Sequence, residues 1–102
     1  MHPKFIIVSD PKEPLIGNFV YGKVWQHKQL VKGYVKVHGG GWYLKDDEAK
    51  TMTLYGNSGD YGDPQFAFLN RIPAELKDYR FIYTPVRGLP GNTLDLSDVE
   101  WV

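Results

Sequence analysis

The sequence contains no cysteine. Disulfide bonds, cysteine nucleophiles and cysteine-ligated zinc are therefore excluded, whereas the redox environment of the protein is left open. The sequence also lacks an excess of either charge, because twelve basic residues balance twelve acidic ones. Proteins that bind duplex nucleic acid or an anionic membrane usually carry a surplus of basic residues. We therefore expect neither nucleic acid nor a membrane among the partners of this protein.

Long apolar runs are missing as well. No segment approaches the roughly 18 consecutive apolar residues that a membrane-spanning helix needs, and residues 1–4 do not begin an apolar signal sequence. A cytoplasmic location is the resulting expectation. The histidines are far apart in the sequence, and the acidic residues lack the spacing of a calcium-binding loop. We therefore predict neither a metal site nor a cofactor.

The chain does contain enough apolar material for one core. Its 102 residues are 42% hydrophobic and 15% aromatic. A chain of this length buries roughly two thirds of the surface that it exposes when unfolded, and each buried aromatic ring removes about 150 to 250 Å² from water. The sequence shows neither a repeat nor an interdomain linker, so it predicts a single domain over residues 1–102.

Apolar patterning predicts that most of the chain is extended, with one helix after Asp63. Pro64 there suits a first helical position, and apolar residues recur every three or four positions up to Leu76. Pro73 predicts a break, or a short second helix over 73–77. The expected fold class is α+β, a small domain with a largely antiparallel or mixed sheet of about five to six strands and one main helix. The predicted strands cover 4–8, 18–26, 30–37, 42–44 paired with 51–55, and 79–84, followed by an irregular return over 85–91 and an edge strand or docked tail over 99–102.

Seven of the eleven glycines lie between residues 33 and 62. Three of them, Gly39–Gly41, directly follow His38. Glycine clusters usually mark a place where the backbone must approach something closely. The triplet is therefore interpreted either as part of a functional site or as a β-bulge or close strand crossing. His-Gly-Gly-Gly also forms the oxyanion hole of some esterases, but the nucleophile motif of those enzymes is missing here.

From residue 30 onward, several motifs follow one another in a familiar order. They are Leu-Val-Lys-Gly-Tyr at 30–34, the glycine triplet, Tyr-Gly-Asn-Ser-Gly-Asp-Tyr-Gly at 55–62, Gln-Phe-Ala at 65–67 and Asp-Tyr at 78–79. This ordered set covers about two thirds of the chain and resembles the janus/phosphohistidine phosphatase family. In that family a Val-basic-Gly-Tyr strand precedes the catalytic histidine, and a Tyr-Gly-x-Ser-x-x-Tyr-Gly-Pro loop leads into a helix.

The resemblance implies a set of ligand-binding residues. By position, Lys4 and Lys32 match ligand-contacting basic residues, and the turn Ser58-Gly59-Asp60 matches the turn whose backbone amides hold phosphate. Successive amides in a turn can form a concave anion site, and ammonium groups add positive charge. Asp60 departs from the family pattern, because it places a carboxylate where the family turn is uncharged.

His38 is the candidate catalytic residue, as base or nucleophile. The family has a helix-sized segment between its catalytic histidine and the glycine triplet, whereas His38 directly adjoins Gly39. This segment is therefore interpreted as deleted, and the ring as displaced by roughly 6 to 7 Å along its strand. The alternative interpretation of His38 is a structural histidine at a strand end.

Three functions follow from these observations. The preferred one is a non-catalytic, phosphohistidine-phosphatase-like module that binds an anion or a peptide edge through the 55–62 loop. The second is a phosphohydrolase acting on phosphohistidine or another phosphoramidate, with His38 in the reaction. The third is a protein-interaction domain without a small ligand, which uses a sheet edge or an aromatic patch formed by Tyr21, Trp25, Tyr34 and Trp42.

Overall fold

The structure is a computed structural model that describes residues 1–85 and 93–102. Within these ranges the chain folds into strands that are connected by turns and by short 3₁₀ helices. The 3₁₀ helices cover His27–Leu30, Phe66–Phe68, Ala74–Leu76 and Leu96–Asp98. The strands are β1 (His2–Ser9), β2 (Gly17–Val24), β3 (Lys36–Asp46), β4 (Thr51–Tyr55), β5 (Leu69–Arg71), β6 (Arg80–Thr84) and β7 (Leu94–Asp95).

One mixed sheet contains all seven described strands, in the order β5-β2-β1-β3-β4-β6-β7. The central strands β2, β1, β3 and β4 pair in this order and are antiparallel to their neighbours. At the two sides, β5 runs parallel to β2 and β6 runs parallel to β4. The sheet curls into a half-barrel, and no described helix reaches seven residues. In the described ranges, strands contain 42 residues and 3₁₀ helices only 13. The predicted α+β fold with one main helix and five to six strands is therefore wrong, because the domain is almost entirely sheet.

The predicted main helix over 63–76 is replaced by turns and a strand. Phe66–Phe68 forms a single 3₁₀ turn, and β5 follows it directly. The Gln65 amide donates to the His38 carbonyl at 2.9 Å, so the start of the segment is bonded to the sheet and not to a helical turn. The apolar spacing reflects burial from an extended chain, since three apolar residues of the segment reach the core. They are Leu69, Ile72 and Leu76.

Several other expectations are confirmed. Strands form at 4–8, 18–24 and 80–84, and β3 and β4 pair as the predicted hairpin, with Trp42 opposite Tyr55. The short helix after Pro73 is present as a 3₁₀ turn.

Other parts of the chain differ from the prediction. The strand expected over 30–37 begins only at Lys36, because residues 27–30 form a 3₁₀ helix and residues 31–35 lie outside any strand. Residues 99–102 form no strand, but the tail docks: the Trp101 ring lies 5.4 Å from the Phe81 ring, and the Val102 amide donates to the Asn70 carbonyl at 2.6 Å. Of the predicted return over 85–91, all but residue 85 lies outside the described residues.

The two faces of the sheet carry separate apolar clusters. The main core lies on the face that we call the core face, and it includes the fully buried Phe5, Met52, Leu54 and Phe81. The opposite, outer face carries a smaller cluster around Ile6, Val8 and Leu30. Alternate residues of β1 belong to different clusters, as the two-residue period of a strand requires. No helix in the described ranges is long and apolar enough to cross a membrane.

Candidate functional site

The glycine triplet occupies a β-bulge in β3. Val8 pairs with Val37 and Ile6 pairs with Gly40, so two residues of β3 lie opposite one residue of β1. Gly39 has a φ of +82°, and a Cβ atom there would lie 1.9 Å from the Asp63 carbonyl oxygen. The triplet is therefore explained by close backbone approach, which is the structural interpretation that the sequence left open.

The loop after β4 covers the edge of β3 that the triplet exposes. β4 pairs with β3 only from Trp42 onward, which leaves the first half of β3 without a strand on that side. The Gly40 amide donates to the Gly62 carbonyl at 3.3 Å, and the Gln65 amide donates to the His38 carbonyl at 2.9 Å. Buried backbone groups need such partners, so this loop has a structural role at the sheet edge.

Ser58 lies at the centre of the predicted anion-binding turn and is 3% exposed. Its hydroxyl oxygen accepts hydrogen bonds from the amides of Asp60 and Tyr61, at 3.2 and 3.0 Å. The Ser58 amide donates to the Gly62 carbonyl, and the Gly62 amide donates back to the Ser58 carbonyl. An anion site in a turn requires free amide donors. Anion binding by this loop stays a prediction, and the four amides with internal partners do not support it.

His38 is buried at the end of the sheet where β1 finishes. Its Nε2 atom shares a hydrogen bond of 2.7 Å with the Ser9 hydroxyl, and its ring stacks on the Phe68 ring with a centroid distance of 4.3 Å. Burial lowers the pKa of His38, and the nearby Lys36 ammonium lowers it further. His38 and Ser9 are only 3% and 4% exposed, so this pair has the geometry of a satisfied structural contact.

The two predicted lysines lie on different elements of the chain, and Lys4 lies towards the end of β1 that is away from His38. The Lys4 ammonium donates to the Trp25 carbonyl at 2.7 Å and lies 4.8 Å from the centre of the Trp42 ring, on the outer face. Lys32 lies on the exposed connection before β3. Lys4 and Asp60 both act electrostatically on His27, whose pKa is lowered mainly by burial. The structure therefore brings Lys4 and Asp60 near the same histidine, but it does not assemble the predicted set around His38.

His27 is a second buried histidine, and the two together predict a pH dependence of stability. A histidine whose pKa is lower in the folded state stabilises the fold fully above its ordinary pKa of 6.5, and this contribution is lost as the pH falls through the folded value. We expect the free energy of unfolding to decrease from pH 7.5 to 5.5 by up to about 1.4 kcal/mol per pH unit and histidine. Urea unfolding across this range measures the slope.

Two variants test whether His27 and His38 cause this pH dependence of the free energy of unfolding. His27→Gln keeps a side-chain donor for the Gly41 carbonyl, which His27 Nε2 contacts at 2.7 Å, and removes the titrating group. His38→Gln keeps a side-chain hydrogen-bonding group for the Ser9 hydroxyl, which His38 Nε2 contacts at 2.7 Å, and likewise removes the titrating group. Each variant should flatten the slope, whereas an equally flat curve for the unmodified protein would contradict the prediction. The pKa values of Asp47 and Asp95 are lowered from 3.8 by hydrogen bonds, so these carboxylates titrate below the window.

The four aromatic residues of the predicted interaction patch do not share one surface. Trp25 and Trp42 both contact the His2 ring, with centroid distances of 5.8 and 5.3 Å. Tyr21 packs against the main core on the opposite face. Tyr34 is 95% exposed and lies on the connection before β3. Of the four predicted residues, the structure brings Trp25 and Trp42 together around His2, and an interaction surface there stays a prediction.

A cleft of about 460 Å³ opens at the end of the sheet opposite to His38. It forms where β1 begins and where β2 and β3 end, so β1 lies at its centre. Its volume falls in the range of about 300 to 1,000 Å³ that is typical of small-molecule sites. We call it the Tyr43 cleft. Its lining residues are Pro3, Tyr21, Lys23, Tyr43, Leu44, Lys45 and Asp47.

Tyr43 provides a hydrogen-bond donor for this cleft. The residue is only 6% exposed, and its hydroxyl forms no hydrogen bond with residues 1–85 or 93–102. Because no side-chain oxygen or nitrogen in these ranges is both fully buried and unpaired, the hydroxyl keeps some exposed surface, and its residue lines the cleft. Burial raises the pKa of Tyr43, with Lys45 acting against it, so the phenol is neutral and can donate at neutral pH.

Among the described residues, some charged groups of the cleft have ion-pair partners and one does not. Lys45 Nζ lies 3.0 Å from Asp47 Oδ1, and Asp47 also accepts a hydrogen bond from the Tyr79 hydroxyl. These contacts raise the pKa of Lys45 and lower that of Asp47, so the pair stays ionised. At the margin, the Tyr21 hydroxyl donates to Glu75 Oε1 at 3.2 Å. Lys23 forms no ion pair with the described residues, so its ammonium is free for a ligand.

The sequence carried a partial signal for this cleft. Tyr21 and Lys23, like Tyr43 and Lys45, are two residues apart and therefore share a strand face. What could not be read from the sequence is that β1 inserts between β2 and β3 and so brings the two pairs to opposite sides of one depression. No three histidine, aspartate or glutamate side chains in the described chain are arranged to hold a metal ion.

Comparison of the chain with known protein families, with curated proteins and with solved structures found no match. The resemblance based on motif order therefore stays a prediction, and the function has to be inferred from the chemistry of the cleft.

Proposed function

We propose that this domain is a non-catalytic binding module for a small organic anion, which it holds in the Tyr43 cleft. One observation carries the proposal. Tyr43, a buried residue whose hydroxyl has no hydrogen-bond partner among residues 1–85 and 93–102, lines the same cleft as Lys23, whose ammonium has no partner in these ranges either. Both groups are donors, so the missing partner is an acceptor. The cytoplasmic location expected from the sequence is kept as part of this proposal.

The remaining polar groups of the cleft support an anionic ligand over a cationic one. Asp47 already has two donors, Lys45 and Tyr79, and Glu75 accepts from Tyr21. Neither carboxylate therefore needs a ligand cation. The aromatic rings, with Pro3 and Leu44, give the cleft apolar walls, so the ligand is expected to combine an acidic group with an apolar body.

Titration of the protein with benzoate at pH 7.5, followed by backbone amide NMR shifts, tests the proposal. We expect saturable shifts confined to the strand ends around the cleft. Tyr43→Phe should weaken binding roughly tenfold or more, because a hydrogen bond to a charged group is lost. Lys23→Met should weaken it roughly two- to fivefold, which is the effect of a solvent-exposed charge.

Matched controls are available outside the cleft. Tyr34→Phe removes a hydroxyl from a residue that is 95% exposed, and Lys32→Met removes a charge from the exposed connection before β3. Both should bind benzoate as tightly as the unmodified protein. Saturable shifts at residues 58–62, and none around the cleft, would refute the cleft as the binding site and support the loop predicted from the sequence. An absence of saturable shifts would also refute the proposal.

A further inference from the structure

We infer that the Tyr43 cleft selects a singly charged carboxylate over a doubly charged phosphate. This inference rests on the proposed function, because it concerns the ligand of the same cleft. The cleft has few positive charges that are not already neutralised. Lys45 is neutralised by Asp47 at 3.0 Å, so Lys23 supplies the one unpaired ammonium among the residues that line the cleft.

Two carboxylates set the limit on ligand charge. Asp47 lines the cleft, and Glu75 accepts a hydrogen bond from Tyr21 at its margin. One negative charge on the ligand is balanced by Lys23. A second would be unbalanced and would lie close to both carboxylates, which repel it. Lys50 does not supply the missing charge, because its ammonium is directed at the Tyr79 ring, 5.0 Å from the ring centre.

The donors fit a carboxylate equally well. A carboxylate has two oxygens, and the cleft offers two donors that have no partner within residues 1–85 and 93–102, the Tyr43 hydroxyl and the Lys23 ammonium. A phosphate monoester has three terminal oxygens and carries nearly two charges above its second pKa of about 6. On entering the cleft, the phosphate would lose water molecules that no protein donor replaces. This desolvation cost lowers its affinity relative to that of a carboxylate.

The experiment compares three probes that share a phenyl body at pH 7.5. Benzoate carries one charge, phenyl phosphate carries nearly two, and methyl phenyl phosphate carries one charge on a phosphorus head group. We expect benzoate to bind roughly two- to fivefold more tightly than phenyl phosphate, since each exposed charge contact has about this effect. Methyl phenyl phosphate should bind more tightly than phenyl phosphate, which separates ligand charge from head-group shape.

Two isosteric variants test the residues. Glu75→Gln removes the charge but keeps an acceptor for the Tyr21 hydroxyl, and Asp47→Asn frees Lys45 from its ion pair. Each should raise the affinity for phenyl phosphate relative to benzoate roughly two- to fivefold. Thermal unfolding of both variants checks that the fold persists. Glu48→Gln, at an exposed position in the β3–β4 turn, should leave the ratio unchanged.

The outcomes separate the inference from the function on which it rests. If phenyl phosphate binds as tightly as benzoate or more tightly, the selectivity is refuted while anion binding in the cleft stands. If neither Glu75→Gln nor Asp47→Asn changes the ratio, the assignment of selectivity to these carboxylates is overturned. If no probe binds, the proposed function fails, and the inference fails with it.

Discussion

Replacing Gly39 with alanine is expected to lower the free energy of unfolding by about 2 to 6 kcal/mol. Two costs combine. Gly39 has a φ of +82°, where a residue with a side chain is strained by about 1 to 3 kcal/mol. The new Cβ would also lie 1.9 Å from the Asp63 oxygen and 3.0 Å from the Pro64 Cα, both backbone atoms, and relieving such a clash costs about 1 to 3 kcal/mol more. Chemical denaturation measures the sum.

Two other glycines separate these costs. Gly33 has a φ of +71°, but a Cβ atom added there would meet nothing within 4 Å, so Gly33→Ala should show the backbone strain alone. Gly59 has neither a left-handed φ nor a close neighbour, so Gly59→Ala should leave stability unchanged or raise it by up to about 1 kcal/mol. A domain of this size is expected to have a free energy of unfolding of about 5 to 15 kcal/mol, so Gly39→Ala stands out clearly. Equal effects at Gly39 and Gly33 would contradict the clash with Asp63.

This contrast marks how far the sequence could predict the local structure. A run of three glycines does indicate close backbone approach, and the structure confirms a bulge. Which backbone approaches could not be read from the run, since Asp63 and Pro64 reach the triplet only because the loop after β4 returns to the open edge of β3. The alternation of apolar and polar residues in a strand can be read from a short segment. Which segment pairs with an open sheet edge depends on the order of the strands in the folded sheet.

The same limit explains the wrong helix and the missed cleft. Apolar residues at 66, 69, 72 and 76 have helical spacing, but β2 provides an edge with which the chain at 69–71 pairs. Tertiary pairing there overrides a weak local preference. Likewise, Lys23 and Tyr43 lie 20 positions apart, on strands that are separated in the sheet by β1. Motif order alone directed attention to His38 and Ser58, at the opposite end of the sheet.

His38→Ala is expected to lower the free energy of unfolding by about 2 to 5 kcal/mol and to leave benzoate binding unchanged. The substitution removes a buried ring that stacks on Phe68 at 4.3 Å, and it leaves the Ser9 hydroxyl without its partner at 2.7 Å. Truncation of a buried ring to alanine costs about 2 to 5 kcal/mol, and the unpaired Ser9 hydroxyl places His38→Ala in the upper part of this range. Denaturation and an NMR titration measure the two quantities separately.

The serine partner decides between a structural and a catalytic role for His38. Ser9→Ala should cost about 1 to 3 kcal/mol, and the double variant should cost less than the sum of the two single changes, because the shared hydrogen bond is lost only once. Hydrolysis of phosphoramidate by the unmodified protein that is abolished in His38→Ala, but retained in an equally destabilised core variant such as Leu54→Ala, would instead support the phosphohydrolase. The burial of both partners argues against that result, since His38 is only 3% exposed and Phe68 stacks on one face of its ring.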